Sequence, residues 1–390
     1  MRLADEPVTD ASAALGRRHQ FLRYEPALDG LRGIAIAGVL AFHALAASGI
    51  DAVRGGFLGV SLFFTLSGFL ITSLLLRERS ATGGNDLHRF WARRIRRLAP
   101  AAFVVVAVVI VLSGPWSVLH ARTGDAVAAT WSVTNWHIIV AGQSRVLQTV
   151  VGPLGPTWSL AVEEQFYVGL VALVVVATMT RAPRRVLAVA CLVGWAVPMV
   201  LANVVTGWHP SLEFATWARA PELFAGVAVA LWVTGARPPR WTAGRGDAVA
   251  GAGLAVLIVL MLFVDYNPPW LLRGGYGLVA VVSAATILGA LARGRVAGAL
   301  GVRPLVALGT ISYSLYLVHW PAILVLDEQR TGLHGWALAG VRIVAAIALA
   351  VVLHVVVERP VRRLQTPWWP TFAGWLAAGA ALTIAAFVAL

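Results

Sequence analysis

Runs of about 20 apolar residues recur along the whole sequence, and this pattern restricts the fold more than any other feature. Each run is long enough to cross the hydrocarbon core of a bilayer as one α-helix. Charged residues make up 13% of the 390 residues, whereas a soluble domain has about twice that share. The sequence therefore predicts an all-α, polytopic transmembrane helical bundle.

The positions of the apolar runs predict eleven spans. They lie at residues 27–48, 57–76, 99–119, 158–180, 186–205, 219–234, 247–265, 276–292, 305–327, 336–357 and 370–390. The apolar stretch 126–141 is shorter and contains polar residues, so we predict that it is re-entrant or interfacial. The longest outer segment runs only from His120 to Thr157, which is too short for a soluble catalytic domain.

The arginines are distributed unevenly between alternate loops. The net charge of +13 comes from arginine alone, because the sequence contains no lysine. With a cytoplasmic N-terminus, 23 arginines fall in inner segments and five in outer segments. This matches the positive-inside rule, so we predict a multi-pass protein of the cell membrane with an extracytoplasmic C-terminus. The rule accounts for the basic balance without a nucleic-acid partner, and we expect none.

The first span carries two ionisable side chains, Arg32 and His43, that lipid disfavours. Their spacing places both on one helix face, about 16 Å apart along the axis. A guanidinium inside a span costs at least about 2.5 kcal/mol, so this face should border a protein-lined or watery cavity. In the alternative interpretation, Arg32 reaches the interface and pairs with Asp29 one turn earlier, while His43 is a hydrogen-bonded core histidine.

Four arginines, Arg93, Arg94, Arg96 and Arg97, lie within two helical turns just before the third span. Guanidinium groups match phosphate oxygens bidentately, so the cluster predicts a phosphate-binding patch on the cytoplasmic side. The alternative is an ordinary basic flank that contacts anionic lipid, which is worth about 1 kcal/mol per residue.

Later spans also contain ionisable side chains, namely Glu163, Glu222, His319 and Glu358. A carboxylate inside a span is costly unless it is paired or protonated. Single buried polar residues are often structural, but several of them in separate spans predict a polar central site. Pro321, which follows His319 closely, predicts a kink in its span.

Six sequence blocks occur in the order and spacing that is typical of one family. They are LDGLRGIAIAGVLAFH, GVSLFFTLSGFLI, FWARRIRRLAP, TWSLAVEEQFY, ISYSLYLVHWP and VERPVRR. No single block is specific, but the ordered set resembles the acyltransferase-3 family of integral membrane O-acyltransferases. On this resemblance, residues 24–364 form a ten-span membrane acyltransferase domain. Residues 1–23 are then a cytoplasmic tail and residues 365–390 an additional transmembrane helix.

The resemblance implies an acyl-CoA donor on the cytoplasmic side and transfer of its acyl group to a hydroxyl of a carbohydrate or glycolipid acceptor. Three motifs of the family can be placed on this sequence: Arg–ten residues–His on Arg32 and His43, Arg-x-x-Arg on Arg94 and Arg97, and Ser-Leu-x-x-Glu on Ser159, Leu160 and Glu163. One position departs from the pattern. Many members have an aspartate where this sequence has Ser61, so a carboxylate role is absent there.

These observations give each candidate residue an expected role. We expect His43 to be the general base for the acceptor hydroxyl, whether the attack is direct or passes through an acyl-imidazole. We expect Arg32 to hold a phosphate of the donor or orient its thioester, and Glu163 to be the carboxylate of the catalytic site. Phosphates of CoA are assigned to Arg93, Arg94 and Arg97. Acceptor binding or orientation is assigned to His319, Glu358, Glu222 and Asp29.

The sequence leaves several points open. We expect no permanently bound cofactor and no metal site. We expect acyl-CoA as a co-substrate, and acetyl-CoA is the first candidate among acyl-CoA donors. The lipid bilayer is an expected partner, and a homo-oligomer is an open alternative. The rival function is a multipass transporter or flippase of a sugar or lipid, in which the same buried ionisable groups would bind substrate or relay protons. Acyl-CoA turnover by the purified protein would distinguish the two functions.

Overall fold

The structure, a computed structural model, describes residues 24–141, 152–205, 209–235 and 241–390. Within these ranges every regular element is helical, so the predicted all-α class is confirmed. The predicted cytoplasmic tail, residues 1–23, lies outside the described residues.

Eighteen helices of the described residues are numbered here in chain order. They are α1 (Pro26–Ala47), α2 (Gly59–Thr82), α3 (Leu87–Ser113), α4 (Thr123–Thr130), α5 (Thr134–Val140), α6 (Thr157–Thr178), α7 (Pro183–Val204), α8 (Ser211–Phe214), α9 (Ala220–Val233), α10 (Ala243–Phe263), α11 (Tyr276–Ala290), α12 (Arg295–Leu300), α13 (Arg303–Thr310), α14 (Ser312–Val325), α15 (Glu328–Thr331), α16 (Gly335–Leu353), α17 (Arg359–Arg363) and α18 (Trp368–Ala389). A 3₁₀ turn, Gly56–Leu58, leads into α2, and wider-wound segments, Leu271–Gly275 and His354–Glu358, lead into α11 and α17.

The number of full-length spans is smaller than the sequence predicts. Among the described residues, nine helices are long and apolar enough to cross a membrane, and the bent pair α13 and α14 makes a tenth candidate. The predicted span 219–234 corresponds to α9, which has only 14 residues. A helix of that length extends about 21 Å, whereas a bilayer core is about 30 Å thick. The polytopic bundle is confirmed, but the count of eleven includes one helix that is too short to span alone.

The stretch 126–141 does not form a spanning helix. It is divided between α4, with 8 residues, and α5, with 7 residues. Each extends only about 10–12 Å, so the prediction that this stretch does not span is confirmed.

The centre of the bundle is formed around α2. In α2, 78% of the apolar stretch is buried within the protein, compared with 11% in α18 at the periphery. Gly68 explains how α9 approaches α2 so closely, because a Cβ at this position would lie 2.0 Å from the backbone oxygen of Leu223. This close packing brings the start of α9 next to Ser61 on α2.

A sharp bend joins α13 to α14. The two helices meet at an angle of 70°, and the break lies at Ile311. The sequence did not predict this bend; Pro321, where a kink is predicted, lies within α14, which runs without a break from Ser312 to Val325. Gly309 lets the end of α13 lie close to α1. A Cβ there would lie 1.8 Å from the backbone oxygen of Asp29, so α13 ends pressed against the start of α1.

Candidate active site

Two cavities meet inside the bundle, one beside each predicted residue of α1. The Arg32 cavity is bordered by polar side chains that include Arg32, Arg97, Ser159, Glu163, Ser312 and Tyr313. The His43 cavity is bordered by side chains that include His43, Trp158, Glu213, Arg219, Tyr266 and Tyr276. Val60 and Tyr316 border both cavities, so the two spaces meet at this pair. The packing of α1, α2, α3, α6 and α14 therefore brings four of the predicted residues, Arg32, Arg97, Glu163 and His43, around adjoining spaces.

The hydrogen bond of His43 determines which ring nitrogen faces its cavity. Nδ1 lies 3.0 Å from the backbone oxygen of Val39. Because a carbonyl oxygen only accepts, Nδ1 must carry the proton and donate it, which leaves the lone pair on Nε2. The ring is held by Phe42 and Trp320, whose centroids lie 4.9 and 5.2 Å from that of His43. His43 can therefore accept a proton at Nε2.

His319 lies behind His43 in a fully buried position. The centroids of the two imidazole rings are 5.1 Å apart. The Nδ1 atom of His319 donates to the backbone oxygen of Tyr316 at 2.7 Å, and its Nε2 is buried with no hydrogen-bond partner among the described residues. His319 therefore supports the ring of His43 and is not positioned as a direct acceptor ligand.

Arg32 combines a long ion pair with a place on the cavity wall. Its Nη1 lies 3.5 Å from Oδ1 of Asp29, and its Nη2 donates to Ser312 Oγ at 3.0 Å. The pairing with Asp29 agrees with the alternative interpretation of the sequence, but Arg32 also borders the cavity. Two of the five guanidinium N–H groups are thereby engaged, so Arg32 retains donors for a ligand.

Glu163 organises the opposite wall of the Arg32 cavity. Its carboxylate accepts hydrogen bonds from the hydroxyl groups of Ser67 and Tyr167. The Tyr167 ring in turn lies beneath the guanidinium of Arg94, 4.0 Å from its central carbon, in a cation–π contact. Glu163 therefore orients the Tyr167 side chain, and the Tyr167 ring in turn positions the guanidinium of Arg94.

The four arginines at the start of α3 differ in their contacts. Arg96 donates to the backbone oxygen of Thr366 at 2.7 Å and to Thr371 Oγ1 at 3.3 Å, which anchors the start of α18. The Nε atoms of Arg94 and Arg97 are buried without a hydrogen-bond partner in the described part of the chain. Arg93 is half-buried and has no hydrogen bond or ion pair to another described residue. Arg96 is thus structural, while the other three can bind an anion.

Arg219 and Glu222 form a buried ion pair in the wall of the His43 cavity. The Nε and Nη2 atoms of Arg219 each donate to the carboxylate of Glu222 at 2.8 Å. The two side chains are 2% and 0% exposed, and Arg219 also stacks on the Tyr276 ring at 3.7 Å. Ser61 Oγ lies 3.3 Å from Nη2 of Arg219. An aspartate at position 61 would add a second carboxylate to a guanidinium that Glu222 already neutralises.

Glu358 lies among three hydrogen-bond donors. It accepts from Ser314 Oγ at 2.8 Å, from His354 Nδ1 at 3.0 Å and from Arg362 Nη1 at 3.1 Å. The side chain is 2% exposed. Glu358 therefore joins α14 to the end of the α16–α17 helix, and its contacts are those of a structural residue.

Tyr316 is a site residue that the sequence analysis did not identify. Its hydroxyl donates to the backbone oxygen of Pro156 at 2.9 Å and lies 2.6 Å from Ser159 Oγ. Ser159 belongs to the Ser-Leu-x-x-Glu motif, so this motif residue helps to hold the Tyr316 side chain in place. The sequence does contain a signal for Tyr316, namely helical spacing. Tyr316 precedes His319 by three residues, so both lie on the same helix face.

Glu213 and Tyr266 were also missed. The hydroxyl of Tyr266 donates to the carboxylate of Glu213, and both side chains border the His43 cavity. Glu213 belongs to the short helix α8 and Tyr266 follows α10, so neither lies in a periodic segment. Their proximity depends on long-range packing that the sequence does not display.

Comparisons with known proteins show which proteins this chain is similar to. A family model described as an acyltransferase domain matches residues 25–390. The O-acetyltransferase OatA of Staphylococcus aureus is 34% identical over 323 residues, which cover 78% of this chain and 52% of OatA. A putative O-acetyltransferase of the same species is 32% identical over 320 residues, with the same two shares. The chain thus spans about half the length of these relatives. No solved structure matches the chain.

Proposed function

The chain belongs to the acyltransferase-3 family of integral membrane acyltransferases, and from this we propose that it moves an acetyl group from acetyl-CoA to a hydroxyl of a carbohydrate-containing acceptor. The acceptor would be a cell-surface glycan, a glycolipid or a secreted glycoside. The observation that carries the proposal is the meeting of two unlike cavities. One has arginines suited to phosphates, and the other presents an imidazole lone pair.

The donor binds at the arginine end. Arg97 and Arg32 border this cavity, and Arg94 lies beside it on the Tyr167 ring. Guanidinium groups bind phosphate oxygens through charge-assisted hydrogen bonds, which are about twice as strong as neutral ones. The pantetheine arm then extends along α1, whose residues 32 and 43 are separated by about 16 Å. The thioester can thus reach His43 while the phosphates stay near the arginines.

Acyl transfer takes place at His43. Its Nε2 removes the proton from the acceptor hydroxyl, and the oxygen attacks the thioester carbonyl. The new ester C–O bond forms, the C–S bond breaks, and the imidazolium returns the proton to the departing CoA sulfur. The Nδ1–H···O bond to Val39 keeps the ring in the required tautomer throughout. A direct transfer needs only one base, and His43 supplies it.

The bundle is oriented with the arginine end towards the cytoplasm. The excess of inner arginines supports this orientation, because cytoplasmic loops carry more Lys and Arg. Acetyl-CoA is then bound on the side where Arg94 and Arg97 lie. The His43 end faces the outer side, from which a glycan would approach.

The test uses membrane vesicles that contain the full chain and radiolabelled acetyl-CoA. Inside-out vesicles expose the arginine end to the added acetyl-CoA. In these vesicles we expect label to accumulate as alkali-labile ester in the glycan or glycolipid fraction. Right-side-out vesicles should remain unlabelled. His43→Ala should lower labelling about 10²–10⁴-fold, because a positioned general base contributes that factor.

His88→Ala is the matched control, since His88 is exposed and contacts Trp368 rather than either cavity. This variant should label as the wild type does. Ester formation by His43→Ala at the wild-type rate would place the active site elsewhere. Failure of the wild type to form any ester would favour the transporter function instead.

A further inference from the structure

The Arg32 cavity and the His43 cavity adjoin at two side chains that border both. Val60 projects from α2 and Tyr316 from α14, and both border each cavity. They are 7% and 8% exposed, so little free surface remains at this point. Phe64 borders the Arg32 cavity and Trp158 borders the His43 cavity, and their rings contact each other edge to face with centroids 6.3 Å apart. We call the pair Val60 and Tyr316 the throat.

The throat is held rigidly. The Tyr316 hydroxyl is fixed by the Pro156 carbonyl and by Ser159, so its ring cannot swing aside without losing two hydrogen bonds. Val60 is β-branched, which restricts its rotation in a helix. It also lies on α2, which has a more deeply buried apolar stretch than any other spanning helix of the described residues. A group that lies against the throat therefore meets two side chains whose movement is restricted.

We propose that Val60 and Tyr316 limit the length of the acyl group that the protein accepts. This inference rests on the proposed function, in which the CoA phosphates stay in the Arg32 cavity and the carbonyl carbon reaches His43. The acyl group must then lie in the His43 cavity, which Val60 and Tyr316 also border. An acetyl group adds one methyl to the carbonyl, whereas a butyryl group adds two further methylenes that must fit against the same side chains.

The experiment measures binding alone, so that the unidentified acceptor is not needed. Purified full-length protein in detergent micelles is titrated calorimetrically with two unreactive thioethers, S-ethyl-CoA and S-butyl-CoA. Recognition of one methylene by a close-fitting pocket changes selectivity by about 10–200-fold, so the wild type should bind S-ethyl-CoA at least about tenfold more tightly. Val60→Ala should reduce this preference by about tenfold or more, and Val60→Leu should increase it.

Two further variants test the assignment. Tyr316→Leu shortens the opposite wall and should also reduce the preference for the shorter thioether. Val227→Ala removes the same atoms from a fully buried valine of α9 that borders neither cavity. Its preference for the shorter thioether should equal that of the wild type. This result would distinguish an effect of the throat from an effect of general loosening of the bundle.

The possible failures can be told apart. If the wild type binds neither thioether, the acyl-CoA donor itself is refuted, and the throat with it. If the wild type binds both thioethers equally, the throat is refuted while the donor stands. The same conclusion follows if Val60→Ala changes the preference no more than Val227→Ala does.

Discussion

Replacement of Glu222 by glutamine should destabilise the protein strongly. Glu222 neutralises Arg219 through two hydrogen bonds of 2.8 Å, and the pair is almost inaccessible to solvent. Glutamine keeps the shape of the side chain and one acceptor oxygen but removes the charge. The direct contacts of Arg219 with Ser61 and the Tyr276 ring are neutral, and the nearby carboxylate of Glu213 is hydrogen-bonded to Tyr266, so none of them replaces the carboxylate of Glu222.

The size of the effect follows from the burial of the pair. Removal of one partner from a buried ion pair costs about 3–5 kcal/mol, because the other charge is left uncompensated. Two charge-assisted hydrogen bonds at about 1.5–3 kcal/mol each give about 3–6 kcal/mol, which overlaps this range. We therefore expect a loss of about 3 kcal/mol for Glu222→Gln and about 5 kcal/mol for Glu222→Ala.

A double variant separates the charge effect from the loss of packing. Arg219→Met combined with Glu222→Leu removes both charges and keeps similar volumes. Replacement of a buried pair by apolar residues is often neutral or stabilising by about 1–4 kcal/mol. The double variant should therefore unfold at or above the SDS fraction that unfolds the wild type, while Glu222→Gln should unfold much earlier.

The assay is SDS-induced unfolding of the purified protein in mixed micelles, followed by tryptophan fluorescence. A loss below about 1 kcal/mol for Glu222→Gln would refute the argument, since this is less than a buried charge requires. A double variant as unstable as the single one would refute it as well. In either case the sequence-based prediction that Glu222 binds the acceptor would be the better interpretation.

Three further predictions concern the donor and the topology. Arg94→Gln combined with Arg97→Gln should raise KM for acetyl-CoA at least about tenfold with little change in kcat, because phosphate contacts are the same in the ground and transition states. Arg96→Gln is the control that should leave KM unchanged, and an unchanged KM in the double variant would make the cluster a basic flank only. Arg32→Gln should also lower kcat in steady-state assays, because Arg32 lies on the helix face that leads to His43; a pure KM effect would contradict this. For topology, a cysteine at exposed Asp51 should react with an impermeant maleimide in intact cells, whereas one at exposed Arg89 should react only after lysis; the reverse result would invert the bundle.

The parts of the fold that follow from local chemistry were predictable. The long apolar runs predicted the helical bundle, because lipid requires internally satisfied backbone groups. The spacing of Arg32 and His43 placed both residues on one face of α1 because helix geometry fixes that relation. The short polar-containing stretch 126–141 was correctly excluded as a span.

The errors concern features that depend on distant contacts. The apolar composition of α9 is that of a spanning helix, but its length is limited by the turns on either side. The bend in the α13–α14 pair lies at Ile311, beside the close contact of Gly309 with α1, so the position of Pro321 did not predict it. Tyr316, Glu213 and Tyr266 entered the candidate site only once separate elements had packed together.

Hydrogen-bond saturation divides the buried ionisable side chains into two groups. Glu222 and Glu358 accept from donors at 2.8–3.1 Å, so folding alone accounts for their burial. In contrast, Arg97 Nε is buried without a hydrogen-bond partner within the described ranges, as are the Nε atoms of Arg94 and Arg96 and His319 Nε2. An unsatisfied polar group in an apolar interior costs about 1–3 kcal/mol by mutational measure. Of these residues Arg97 borders the Arg32 cavity, and the half-buried His43 borders the adjoining one with its Nε2 unpaired, so we infer that a donor phosphate completes the hydrogen bonds of Arg97 and an acceptor hydroxyl those of His43.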